Sequence, residues 1–225
     1  RGPQGTLFGK NTSAGAVHII TKRPSDEFEG NTSVTVAENQ EYRLKGSISA
    51  PINDKWGYRF SGFVSSVGDW VVNKNQAGQT SGLNGYDAYG FRSKLEYGAD
   101  DGSFNLLIIG DWSTRDSNCC ARTYRGFLTN PDGTLVNNAQ NLVNSFNNNN
   151  AMPEIGAASN EVSNDNVVFA DTDTWGISAE ANWSLASEHT LTLIGSYREW
   201  ERHQDLDGDG RPDPTTPCHV SSPLR

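Results

Sequence analysis

The sequence predicts an all-β chain whose strands form part of an antiparallel barrel crossing a membrane. Three observations predict it. Apolar and polar residues alternate over segments of roughly 11–14 residues, longer than the five or six usual in soluble sheets. The links between segments alternate between tight turns and long polar loops. Aromatic residues gather toward both ends of the segments. Short turns on one side, long loops on the other and two aromatic girdles are what outer-membrane barrels show.

The elements follow in order. Ala16–Thr21 reads as a short apolar strand, and Pro24-Ser25-Asp26 as a linker. The first long segment, about 28–38, alternates Val34 and Val36 with Ser33 and Thr35. In the second, about 41–50, Tyr42, Leu44, Gly46, Ile48 and Ala50 share one face, and Arg43, Lys45, Ser47 and Ser49 share the other. That period of two belongs to a strand and not to a helix. Pro51-Ile52-Asn53-Asp54-Lys55 is a tight turn. The third segment, about 55–68, sets Trp56, Tyr58, Phe60 and Val64 against Gly57, Arg59, Ser61 and Phe63, and a polar loop covers 73–85.

The fourth, about 86–99, opposes Tyr89, Phe91, Leu95 and Tyr97 to Arg92, Lys94 and Glu96. Asp100-Asp101-Gly102 turns the chain into the fifth, about 103–115, where Leu107 and Ile109 blur the alternation of Phe104, Leu106, Ile108 and Trp112. A long loop spans 116–171, and its Asn-rich tract 137–150 suits a loop rather than a core. The sixth, about 172–185, alternates Trp175, Ile177, Ala179, Ala181 and Trp183 with Thr174, Ser178, Glu180 and Asn182. After Ala186-Ser187-Glu188 the seventh, about 189–202, carries Leu191, Leu193 and Tyr197, and an acidic loop covers 203–225. One aromatic belt is expected from Trp56, Tyr58, Tyr97 and Trp183, and another from Trp70, Tyr86, Trp112, Trp175 and Trp200.

Composition agrees. The 225 residues are 35% hydrophobic, which a barrel tolerates because each strand needs one apolar face only. No run of about 18 apolar residues offers a membrane helix. No secretory signal is legible, so an exported protein would carry residues ahead of Arg1. The net charge of -9, with no basic stripe, argues against nucleic acid as a partner. Cys119, Cys120 and Cys218 all fall in loops. A bridge from Cys119 or Cys120 to Cys218 is expected, because neighbours are poorly placed for the Cα separation a disulfide needs; a partner outside the chain is the alternative.

The opening carries the most specific signal: Arg1-Gly2-Pro3-Gln4-Gly5, Leu7-Phe8-Gly9, Ala14-Gly15-Ala16-Val17 and Ile19-Ile20-Thr21-Lys22. It is not a phosphate loop, since Gln4 stands where the first glycine is needed and Asn11 follows Lys10. It resembles the end of the plug domain of TonB-dependent outer-membrane receptors, on Arg1, Gly2, Pro3, Gly5, Gly9 and Gly15, and the resemblance extends loosely to about Gln204. It implies that 1–24 is the C-terminal end of a plug and 25–225 the N-terminal part of the barrel with extracellular loops. About seven strands of a roughly 22-stranded wall would then be present. The implied location is the cell outer membrane. The implied partners are outer-membrane lipid, an inner-membrane TonB complex acting through a segment upstream of Arg1, and a small-molecule ligand such as an iron chelate. Arg43, Lys45, Arg59, Arg92, Lys94, Glu96, Glu180 and Asn182 are expected to face inward, in plug–wall contact. Ligand contacts are expected from loops 70–85 and 116–171.

Other chemistry is thinly signalled. Asp205, Asp207, Asp209 and Asp213, with Gly210 at the sixth position, resemble the start of a calcium loop, but Thr216 stands where the bidentate glutamate belongs. Calcium in an extracellular loop is the one cofactor considered; otherwise none is expected. His18, His189, His203 and His219 are scattered, and no Gly-x-Ser-x-Gly elbow exists, so an enzyme is not expected. The rival reading is an extracellular calcium-binding adhesion or structural β protein, which would fold in water without detergent.

Overall fold

The structure is a computed structural model that describes residues 20–74, 80–165, 168–185, 189–207, 210–212 and 219–224. The plug-motif residues Arg1, Gly2, Pro3, Gly5, Gly9 and Gly15 lie outside these, as do the turn at 186–188 and Asp209, Asp213 and Cys218. The strands are β1 (Glu29–Ala37), β2 (Glu41–Pro51), β3 (Trp56–Val67), β4 (Val71–Lys74), β5 (Thr80–Leu83), β6 (Tyr86–Gly98), β7 (Phe104–Ser117), β8 (Glu161–Val162), β9 (Phe169–Leu185), β10 (His189–Asp207) and β11 (His219–Leu224). Among the described residues one helix, α1 (Asn137–Asn148), lies in the loop before β8. Eight strands form one antiparallel meander, β1-β2-β3-β6-β7-β9-β10-β11, and β5-β4-β8 form a small second sheet.

Turn chemistry fixes the register. Asn39 and Gln40 both take positive φ and let Glu41 N–H donate to Glu38 O, closing the β1–β2 hairpin. Asn53 Oδ1 accepts from the N–H groups of Lys55 (2.9 Å) and Trp56 (3.0 Å). Gly102, at φ 69, closes the β6–β7 turn, where Asp101 Oδ1 accepts from Ser103 N–H at 3.0 Å.

With the register set, the two faces separate as the alternation predicts. Val34 pairs Leu44, Leu44 pairs Val64 and Val64 pairs Tyr89, so apolar side chains line up across four strands. They stand outward and bare: Val34 is 70% exposed and Leu193 63%. On the opposite face Lys94 is 4% exposed and Ser49 1%. A water-soluble sandwich would bury the first set.

The aromatic girdle beside the tight turns is continuous. Trp56 meets Tyr97 at 4.9 Å, Tyr97 meets Phe104 at 6.1 Å, and Phe104 meets Trp183 at 5.1 Å between ring centroids. Toward the long loops, Tyr89 meets Trp112 at 5.5 Å and Trp175 meets Tyr197 at 5.3 Å. From Trp175 to Trp183 the strand runs roughly 27 Å, or about 20 Å of membrane depth at barrel tilt. Three expected members of this second belt do not join it. Tyr86 pairs Ser117 and Trp200 pairs Thr174, which puts both on the polar face, and Trp70 sits in the loop before β4.

Three segments expected as loops are ordered elements. The polar stretch 73–85 supplies the end of β4 and all of β5. The Asn-rich tract forms α1 because Ala139, Leu142, Val143 and Phe146 recur at helical spacing, and Ala139 and Phe146 are buried. The acidic stretch after 202 continues β10 to Asp207, and Asp207 pairs His219 of β11, an eighth strand where seven were expected. Ladder hydrogen bonds to both neighbours hold this polar end extended; Asp205 still pairs Phe169 of β9.

Candidate functional site

Two sites stand at the ends of the polar face. The first is where the segment leading into β1 lies on the wall. Lys94 Nζ donates to the carbonyls of Thr21 (2.9 Å) and Lys22 (2.8 Å). Arg23 Nη1 reaches Glu96 Oε1 at 2.7 Å and Asn105 Oδ1 at 3.1 Å, while its Nη2 reaches Glu180 Oε1 at 2.7 Å. Ser25 N–H donates to Ser49 Oγ at 2.8 Å. Pro24 packs on Gly57, where an added Cβ would meet Pro24 Cβ at 2.9 Å. Burial works against the Arg23 charge, but Glu96 and Glu180 outweigh it, and the Arg23 pKa is raised.

The polar face therefore does what the alternation expects of Lys94, Glu96 and Glu180: it holds the preceding segment. Their partner Arg23 was not anticipated. The available signal was a guanidinium beside a proline, ahead of a wall bearing two carboxylates of matching parity. Arg43, Lys45, Arg59, Arg92 and Asn182 share that face in the register as expected.

The second site is the layer built by the long loops. Segments 70–85 and 116–171, expected to carry ligand contacts, are joined by parallel pairing of Val72 with Glu161 and Asn73 with Val162. Asn73 Nδ2 donates to Asn164 O at 3.1 Å, and Asn164 N–H donates to Asn73 Oδ1 at 2.8 Å. Lys74 pairs with Glu161, and that contact heads the causes holding the Glu161 carboxyl below its ordinary range. Val71, Leu83, Val162 and Val168 form the core beneath, with Ala121 against it. Phe146 of α1 is fully buried, its ring 5.4 Å from Tyr124, whose hydroxyl donates to Gly210 O at 2.6 Å.

The cysteine expectation is corrected. Cys119 and Cys120 are bonded to each other, with Cα atoms 3.1 Å apart across a cis peptide bond. Cys218 lies outside the described residues. Of the proposed calcium set, Asp205 and Asp207 are residues of β10, Asp207 Oδ1 accepts from Gly210 N–H at 2.7 Å, and Asp209 and Asp213 lie outside the described residues. Among the described residues no group of three or more metal-ligating side chains comes together.

No protein-family model matches the chain. Relatives do. The pesticin receptor of Yersinia pestis is 34% identical over 103 residues, 45% of this chain and 15% of that protein. The ferric enterobactin receptor of Pseudomonas aeruginosa is 26% identical over 157 residues, 58% of this chain and 21% of that protein. In fold, the ferric yersiniabactin uptake receptor FyuA from Yersinia pestis matches with a TM-score of 0.69 at 18% identity, over 99% of this chain and 30% of that one. In both sequence and fold the chain resembles TonB-dependent siderophore receptors. The match spans less than a third of the length of these relatives. In a barrel of that kind the apolar face is turned to lipid and the polar face lines the lumen.

Proposed function

We propose that this chain is the end of the plug and the first strands of the wall of a receptor that takes up a ferric chelate across the outer membrane. The plug would end near Pro24, and the wall would begin with β1. Ligand would be received by the loop layer of β4, β5, β8 and α1. Energy would come from an inner-membrane TonB complex pulling on plug residues upstream. The observation that carries this reading is the inversion of the sheet. Its apolar face is bare between aromatic rows, while its polar face grips Thr21, Lys22 and Arg23. A calcium-binding adhesion would have no use for either feature.

The reading is tested with the full-length receptor, produced in a strain lacking its own ferric-chelate receptors. Growth on a ferric chelate as sole iron source is expected, and it should vanish when TonB is deleted. Growth that persists without TonB, or no growth on any ferric chelate, would overturn it.

A further inference from the structure

The lumen wall sorts charge against the chain as a whole. The net charge is -9, yet the inner face near the loops is rich in cations. In the second inner row from the loops, just below Tyr86, Arg43 pairs Ser65, Ser65 pairs Ala88 and Ala88 pairs Arg115. Arg115 lies over the Tyr86 ring, 3.9 Å from its centroid, and Arg43 Nη2 donates to the Tyr86 hydroxyl at 3.4 Å. The next row down carries Lys45 beside Phe63, and the row below carries Arg92 beside Asp111. Successive rows stand about 6.8 Å apart along the strands. Carboxylates answer only in part: Glu41 bonds Arg43 at 2.8 Å, and Asp111 takes Arg92 at 3.4 Å and Arg198 at 2.8 Å.

Lys45 and Arg115 are exposed, and a concavity of about 590 Å³ opens beside Lys45, Phe63, Arg92 and Asp111. The outer face at the same height is the reverse: Asp87 pairs Asp116, and Glu201 pairs Asp173. The lower inner rows are already occupied, since Lys94 and Glu96 hold Thr21, Lys22 and Arg23.

We propose that Arg43, Lys45, Tyr86, Arg92 and Arg115 form an anion-contact track down the lumen wall, and that the solute is an anionic ferric chelate rather than a neutral one. The inference rests on the uptake reading above and deepens it. Guanidinium groups present planar forks to catecholate or carboxylate oxygens, and the Arg115–Tyr86 stack offers a flat surface to an aromatic chelator. A lumen walled by protein also screens such charges less than open water does.

The test compares two probes of similar size on the full-length receptor in detergent: a tris-catecholate ferric complex, which is anionic, and a neutral tris-hydroxamate ferric complex. Binding is read by fluorescence quenching at low and at physiological salt. The unmodified receptor should bind the anionic complex at least about tenfold more tightly, with affinity falling as salt rises. The pair Lys45→Gln and Arg115→Gln should weaken that affinity about tenfold and flatten its salt dependence, while Arg115→Lys keeps the salt dependence and loses part of the affinity with the stack and fork. Equal or tighter binding of the neutral complex overturns the track and leaves the uptake reading standing. So does a properly assembled double variant that binds the anion as the unmodified receptor does. If neither complex binds, the uptake reading falls as well. The selectivity of the unmodified receptor needs no variant to fold.

Discussion

In the wall, Val34, Leu193 and Tyr197 stand away from the sheet with most of their surface bare. In the loop layer, Val71, Val162 and Phe146 are closed inside, each with at most 1% of its surface exposed. The same residue types thus solve opposite problems a few strands apart. The loop layer meets water and hides its apolar atoms, as any small soluble unit does. A barrel wall meets acyl chains on one side, so its apolar atoms gain nothing by turning inward, and the polar side chains take the interior instead. On the proposed reading, burial measures distance from water in the loop layer and distance from lipid in the wall.

Mutations can break that comparison from either side. The largest effect is expected at Phe146. Removing its ring with Phe146→Ala should cost the loop layer about 3–5 kcal/mol, read as faster amide exchange in β4 and β8 with the wall strands unchanged. Phe60→Arg strikes the wall midway between Trp56 and Val64, on the lipid face. In a bilayer it should cost about 2–4 kcal/mol of folding free energy, whereas Ser61→Arg, one residue along and inward, should cost far less. Equal costs for the two would erase the distinction between faces.

A smaller effect is expected at the tether. Arg23→Ala removes a fork to Glu96 and Glu180, and since the Arg23 side chain is 44% exposed, solvent screening limits the loss to about 1 kcal/mol. The clearer readout is local: exchange at Thr21–Ser25 should rise while β6 and β9 stay protected. The smallest effect is a pH dependence. The Glu161 pKa is lowered from 4.5, first by the hydrogen bond from Lys74. A carboxyl lowered on folding stabilises the fold fully above its unfolded value, and that contribution is lost as pH falls through the lowered one. The loop layer should therefore loosen below about pH 4.5, and Glu161→Gln should remove that step.

Much of the wall was legible because its signal is redundant. In β2 and β9 nearly every second residue repeats the vote for one face, so a blur such as Leu107 changes nothing. The girdle failed where position along the chain was read without parity: counting by twos from Tyr197 reaches Glu199, not Trp200. α1 was obscured by asparagines, which disfavour helix, around an apolar stripe that decides it. The joining of the two long loops was not legible at all. A parallel pair as short as β4–β8 has no signature of its own, and its partners lie some ninety residues apart, as the hydrogen bonds of Asn73 and Asn164 show. Arg23 was missed for a related reason, since a side chain in a linker declares no face until the wall is folded around it.

The most direct test of the inverted wall is spin labelling of the full-length receptor in liposomes, one label at a time on β2, β3 and β10. Labels at Leu44, Val64 and Leu193 should be relaxed by oxygen, which concentrates in lipid, and those at Lys45, Phe63 and Thr192 by a water-soluble nickel complex. The opposite pattern, or nickel access at every position, would contradict a sheet that shows its apolar side to the membrane.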